Sequence, residues 1–345
     1  MFSYFVMAVV GENPDINAIQ ESIASYLGIQ LKDQAKQVRV DELRQGFEAK
    51  LKGGESKFLV ILDDVWKPVD LEDIGLSCLL NQGIDFKVLI TSRDQAVCTE
   101  MGVKADLVLN VGLLTEAEAQ SLFLQLWGPS DDVDPDLYNI AEEIVRKCCG
   151  LPIAIKTMVC TLRSKNKDTW KNALSCLQHH DINTVAPAVF KTSYDNLQDE
   201  VTGATFLLCG LFPEDFNIPT EDLLRYGWGL KLFKGINTIR EARYKLNTCI
   251  ERLIHTNLLI GCDAVRCVKM HDLVRAFVLD MFSKVEHASI VNLGSSKLGW
   301  PETDIDVGAS CKRISLTCKG MIEFPSDLKF PNVSILKLMR GDKSL

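Results

Sequence analysis

Lys57-Phe58-Leu59-Val60-Ile61-Leu62-Asp63-Asp64-Val65-Trp66 is an apolar, β-type run that ends abruptly in two adjacent carboxylates. The consecutive apolar residues, bounded by Gly53-Gly54 on one side and by charge on the other, predict a strand buried on both faces. Such strands belong to parallel sheets with helices above and below. Ligands of these sheets sit at the carboxyl ends of the strands, and the Asp pair falls at that end. Two readings stand side by side. Asp63 and Asp64 either form the polar turn that stops a buried strand, or they hold a divalent cation and orient a water at a nucleotide phosphate.

Outward from this run, strands and helices alternate. Upstream, Phe2 to Val10 reads as a strand; it lacks a basic leader and a small-residue cleavage site and is too short to span a bilayer. Asn13-Pro14 predicts a helix start, with Ile16, Ile19, Ile23 and Leu27 at helical spacing before Gly28. A second helix carries Leu43, Phe47 and Leu51. Downstream, Phe86 to Thr91 predicts another buried strand that ends in Ser92-Arg93-Asp94, and Leu107 to Val111 is a further strand candidate. The alternation argues for a doubly wound α/β domain over roughly the first third of the chain.

From Thr115 the pattern turns helical. Thr115 with Glu118 makes a capping box, Asp134-Pro135 opens a helix that ends at Gly150, Pro152 opens a third, and Asp168 is placed to cap a fourth bearing Trp170, Leu174 and Leu177. Between Ala186 and Ser283 lie more helices, among them one capped by Thr238 and Glu241 ahead of Leu246, Ile250, Leu253 and Ile254. They lead to a hairpin, Leu258-Leu259-Ile260 against Val265 to Met270, and then to a helix with Asp272 as its N-cap. Helices followed by a two-stranded wing predict a winged helix. Ile314-Ser315-Leu316 and Leu336-Lys337-Leu338 repeat an L-x-L theme one leucine-rich repeat apart, with Phe324-Pro325 between them.

Composition narrows the classes. The 345 residues, 47% hydrophobic and 24% charged, give room for two to three domains with real cores. Net charge −8 opposes a phosphate backbone, so a winged helix here predicts no nucleic-acid partner. The twelve cysteines are scattered and none forms a C-x-x-C pair, which predicts reduced thiols in a cytoplasmic protein. Cys262, Cys267 and His271 form a loose C-x4-C-x3-H cluster with no fourth zinc ligand at suitable spacing.

Taken in order, Leu59 to Trp66, Val88 to Arg93, Cys149-Gly150-Leu151-Pro152-Ile153-Ala154, Cys209-Gly210-Leu211-Phe212-Pro213-Glu214-Asp215 and Met270-His271-Asp272-Leu273-Val274 resemble the plant disease-resistance NB-ARC family. Motifs in this order and spacing are more specific than any one alone, and Trp66 is similar to the coiled-coil subgroup of these immune receptors. The resemblance implies a P-loop-NTPase-like α/β domain over 1–113, a helical domain over 114–185, a winged helix over 186–286, and a linker with the first leucine-rich repeats over 287–345. It implies ADP or ATP with Mg²⁺ as cofactors, slow ATP hydrolysis, and a switch in defence and the hypersensitive response. Its implied partners are other receptor domains or copies, with a pathogen effector or guarded host protein read through further repeats.

By the same resemblance, Asp63 holds Mg²⁺, Asp64 is the water-orienting acid, Arg93 senses the γ-phosphate, Leu151 and Pro152 pack on adenine, and His271 touches the diphosphate of ADP. One departure matters: the 345 residues contain no G-x-x-x-x-G-K-[ST]. Gly53-Gly54-Glu55-Ser56-Lys57 lacks that spacing and precedes a strand. Against the family pattern the chain is expected to be truncated at both ends, without the first strand, the phosphate loop and most repeats. An alternative expectation is therefore a nucleotide-free interaction or decoy fragment, or a non-functional truncated product.

Overall fold

The computed structural model describes residues 2–12, 14–32, 35–51, 57–76, 86–128, 134–178, 180–197, 199–262, 266–282, 289–292, 311–318 and 331–340. The chain divides into two compact units, Met1–Val111 and Gly112–Leu345.

In the first unit β1 (Tyr4–Gly11), β2 (Phe58–Val65) and β3 (Phe86–Ile90) form a parallel sheet in that spatial order. Val60 lies opposite Val6 on one side and Val88 on the other. Helices α1 (Ile16–Leu27) and α2 (Lys36–Leu51) connect β1 to β2, and α3 (Gln95–Glu100) follows β3. Helix α1 starts at Ile16, two residues beyond the expected Pro14: the carboxylate of Asp15 accepts from the amides of Asn17 and Ala18 and is the cap. Gly28 closes the helix in the left-handed region, as expected. The core joins Val6, Ala8, Val10, Phe58, Val60 and Leu62 to Ile19, Ile23, Leu43 and Phe47. The rings of Phe47 and Phe58 meet edge to face at 5.2 Å.

Burial along β2 alternates, which corrects the expectation of a strand buried on both faces. Val60 and Leu62 are sealed, while Leu59 and Ile61 are half-buried and Phe5 of β1 is 59% exposed. Among the described residues, the core lies on the Val60 side alone. The strand expected at Leu107 to Val111 is also not formed. Ala105–Leu107 make a 3-10 turn, and Leu109 and Val111 point into solvent. Their alternation fits a strand, but no neighbouring ladder takes up their amides among the described residues, and an unpaired run gains nothing from extension.

Strand β3 is an edge of the sheet among the described residues, and its Leu89 is 48% exposed. Edge amides open without disrupting a second ladder. Hydrogen exchange is expected to reach Val88 to Thr91 before Glu200–Cys209 of the second unit. Stronger protection in β3 than in that helix would contradict this ordering.

The second unit is mainly helical: α4 (Glu116–Trp127), α5 (Pro135–Lys147), α6 (Pro152–Leu162), α7 (Lys167–Leu177), α8 (Val185–Asp195), α9 (Glu200–Cys209), α10 (Thr220–Gly229), α11 (Ile239–His255) and α12 (Asp272–Phe282). The capping boxes read from sequence set two of these starts. Thr115 Oγ1 accepts from the Glu118 amide, while the Glu118 carboxylate accepts from the Thr115 amide. Thr238 Oγ1 likewise accepts from the Glu241 amide. Asn166, two residues earlier than the expected Asp168, caps α7, with Oδ1 accepting from the Thr169 amide. One continuous apolar core runs through these helices, with Phe123, Trp170, Phe190, Phe206 and Phe212 fully enclosed.

Short strands β4 (Ile218–Pro219), β5 (Ile260–Gly261) and β6 (Cys267–Lys269) form an antiparallel sheet in the order β4-β6-β5, so the expected hairpin gains a third strand. Val265 lies outside the described residues. Strands β7 (Ser289–Asn292), β8 (Arg313–Cys318) and β9 (Ile335–Arg340) are parallel, and the two L-x-L segments lie side by side with Ile314 opposite Leu336. Phe324-Pro325 falls outside the described residues. Described cysteines such as Cys98, Cys160 and Cys249 are free thiols; burial pushes the Cys148 thiol far up and that of Cys209 up to about 12. No described helix is long and apolar enough to cross a membrane.

Candidate functional site

The carboxyl ends of β2 and β3 are joined by an irregularity that the sequence conceals. In an uninterrupted parallel ladder the carbonyl of Thr91 would take the amide after Asp63, that of Asp64. Here the Thr91 amide donates to Leu62 O at 3.0 Å, but the Thr91 carbonyl accepts from the Val65 amide at 2.9 Å. Asp64 is skipped, as in a one-residue bulge, and its φ of 54° lies in the left-handed region. Its amide donates instead to Thr91 Oγ1 at 2.9 Å, and that hydroxyl donates to Asp63 Oδ1 at 2.5 Å. A single threonine thus holds both carboxylate-bearing residues. Ser92 Oγ donates to Val65 O at 2.6 Å and closes the other end of the bulge.

Arg93 follows directly. Its Nε stands 3.5 Å from Asp64 Oδ1, and its guanidinium lies 4.5 Å from the centre of the Trp66 ring. The arginine is about half exposed, so the ion pair contributes at most ~1 kcal/mol and the ring contact a similar amount. Asp94 then caps α3 through the Ala96 amide at 2.8 Å. Asp63, Asp64 and Arg93, named from sequence, are brought together; Thr91, Ser92 and Trp66 complete the arrangement without having been assigned a role.

Mg²⁺ takes one or two carboxylates plus phosphate and water oxygens. Asp63 suits this donor set: it is half-buried, and its Oδ1 is oriented by the Thr91 hydroxyl.

The other expected contacts lie in the second unit. Gly150, at φ 70°, passes its carbonyl to the Leu114 amide at 2.9 Å, Leu151 is the N-cap of α6, and the exposed Pro152 occupies its first turn. His271 stands just ahead of α12. Its Nδ1 accepts from the Leu273 amide at 3.2 Å and its carbonyl from the Arg275 amide at 2.9 Å. His271 is therefore the cap, and Asp272 the first helical residue, which reverses the expected assignment: the imidazole reaches the second amide of the helix, a bond worth ~1 kcal/mol. Among the described residues, Cys262, Cys267 and His271 do not gather into a three-ligand metal cluster, and Cys262 Sγ donates to Asn217 Oδ1 at 3.5 Å.

Comparison with known proteins agrees with these motifs. Residues 1–132 match the NB-ARC domain model. The chain is 32% identical over 352 aligned residues to the probable disease resistance protein At4g27220 of Arabidopsis thaliana, an alignment covering 99% of this chain and 37% of the relative. It is 31% identical over 327 residues to the disease resistance protein SUMM2 of the same plant, covering 91% of this chain and 36% of that one. Residues 1–132 thus match the NB-ARC domain, and nearly the whole chain is similar to plant disease resistance proteins. It spans less than half the length of these relatives. Among solved structures, the Aeropyrum pernix ORC2 protein in its ADPNP-ADP complexes is 12% identical with a TM-score of 0.34, covering 81% of this chain and 80% of that one, a likeness too slight to bear on the fold.

Proposed function

We propose that the chain is the nucleotide-switch portion of a plant intracellular immune receptor, closed with ADP, open with ATP and reset by slow hydrolysis. The observation that carries this reading is the bulge at the end of β2, where Thr91 orients Asp63, Asp64 turns back on itself and Arg93 rests on Trp66. Mg²⁺, when bound, would neutralise phosphate charge, with Asp63 to hold it. Asp64 would orient the attacking water and Arg93 would sense the γ-phosphate. Leu151 and Pro152 would pack on adenine, and His271 would contact the diphosphate. In this reading 114–185 is the helical domain, 186–286 the winged helix and 287–345 the start of the leucine-rich repeats, in a cytoplasmic protein of the coiled-coil subgroup. Its partners are other receptor domains or copies and, through further repeats, an effector or guarded host protein.

The test joins an upstream segment that carries a G-x-x-x-x-G-K-[ST] loop to Met1 and follows ADP binding. Micromolar ADP is expected. Asp63→Ala should remove the Mg²⁺ dependence. His271→Ala should weaken ADP ten- to hundredfold, since a hydrogen bond to a charged group contributes about 1.5–3 kcal/mol. A join that folds yet gains no ADP affinity sinks the proposal. Unchanged ADP retention in His271→Ala leaves the histidine as a helix cap only. A second reading, a nucleotide-free interaction or decoy fragment, is separated from the first by the same ADP titration.

A further inference from the structure

The loop Leu211-Phe212-Pro213-Glu214-Asp215-Phe216, which follows α9, is tied down from three sides. Ser315 Oγ of β8 donates to Leu211 O at 2.6 Å. Arg275 of α12, 1% exposed, donates its Nε to Phe212 O at 2.7 Å. Lys337 of β9, 7% exposed, places Nζ 3.1 Å from the centre of the Phe212 ring and 5.5 Å from that of Phe216. The two rings stack at 5.6 Å. Lys337 lies opposite Ser315 in the β8–β9 register, so one face of the parallel strands rests on this loop. Leu336 and Leu338, its neighbours in β9, are exposed instead.

A buried ammonium needs acceptors for its three protons, and Nζ of Lys337 finds none among the described residues. The surrounding charges are mixed. Asp222 of α10 favours the ammonium, and Arg275 of α12 opposes it. Glu214 of the loop lies 3.6 Å from Arg275 Nη1, and Ser315 of β8 is uncharged. The Phe212 face offers a partial substitute for water.

We propose that Lys337 makes the junction between β8–β9 and the Leu211–Phe216 loop a proton-sensitive latch, which holds tightly when the lysine is neutral and loosens when it is charged. Burial brings the Lys337 ammonium down to about 7, from a starting value of 10.5 that the exposed side chain regains when the strands lift away. A detached lysine therefore holds its proton between these limits while a docked one has lost it, so detachment takes up a proton and docking strengthens as pH rises. The slope is about tenfold in the docking equilibrium per pH unit from about 7 to 10.5, and it vanishes below about 7, where both states are charged.

Hydrogen exchange on the full 345-residue chain tests this, with intrinsic rates corrected for pH and α6 as internal reference. Protection of Ile335 to Met339 should rise by up to tenfold between pH 7.5 and 8.5, while α6 stays level. Lys337→Met should hold high protection at both pH values, and Lys337→Arg, which keeps its charge, should stay low at both. Should the methionine variant fail to fold, the wild-type slope and the arginine variant decide. A wild-type β9 with no slope, or a slope that survives in either variant, overturns the latch.

Discussion

Titrating ADP with Mg²⁺ into the 345-residue polypeptide is expected to give no micromolar binding. A bound diphosphate ordinarily receives several backbone N–H bonds from a glycine-rich loop and the charge of its lysine. Bonds to a charged group contribute about 1.5–3 kcal/mol each, so a site without that loop forfeits about 6 kcal/mol or more. A micromolar ligand then falls to about 10 mM or weaker. The site residues of the first unit, Asp63, Asp64 and Arg93, bring two acids and one cation paired with Asp64, which is no replacement. Calorimetry decides: micromolar heat with this polypeptide would show that another set of donors replaces the loop and would favour the switch reading without any upstream segment.

Gly150→Ala is expected to destabilise the second unit strongly. A Cβ there would stand 2.3 Å from Leu114 O and 3.2 Å from Leu114 N, both backbone atoms that cannot rotate away. Alanine also pays about 1–2 kcal/mol for the left-handed backbone, and forced repacking adds about 1–3 kcal/mol, for a total of about 2–5 kcal/mol. Gly128, also left-handed at φ 57° but with nothing within 4 Å of its added Cβ, is the control and should lose only the backbone part. Urea midpoints of the two variants separate these contributions; equal losses would mean that the approach to Leu114 relaxes at little cost. Because Gly150 sets the entry of α6, its loss would also displace Leu151 and Pro152.

What the sequence made legible and what it hid follow from the range of the forces involved. The β2 strand, the helix with Ile19 and Ile23, and the caps at Thr115 and Thr238 depend on neighbours within a few residues and they form, although β2 is buried on one face only and the helix starts at Ile16. Leu107 to Val111 shows the limit: alternation marks a strand only when a partner ladder exists, and that is a non-local fact. Asn166 and His271 displaced the expected caps by one or two positions, because several polar residues at a helix start compete and tertiary packing selects among them. At the site, both carboxylates and Arg93 could be named in advance. Thr91 could not, since its role rests on a bond across 28 residues to Asp63. The burial of Lys337 was hidden for the same reason: a lysine between two leucines reads as the solvent side of a strand, and only the docked aromatic loop reverses it.

The left-handed backbone at Asp64 has a consequence for mutational genetics at this position. Asparagine and glycine share aspartate's tolerance of that conformation, whereas alanine and β-branched residues do not. An alanine scan would therefore report a composite, loss of the carboxylate together with a reshaped chain at the Thr91 hydroxyl. Asp64→Asn removes the charge with the chain left in place, and Asp64→Gly removes the side chain with the backbone still permitted. Tolerance ranked by backbone, with Asn and Gly grouped apart from Ala, would mark Asp64 as a shape requirement; loss shared equally by all three would mark the carboxylate itself as what selection retains.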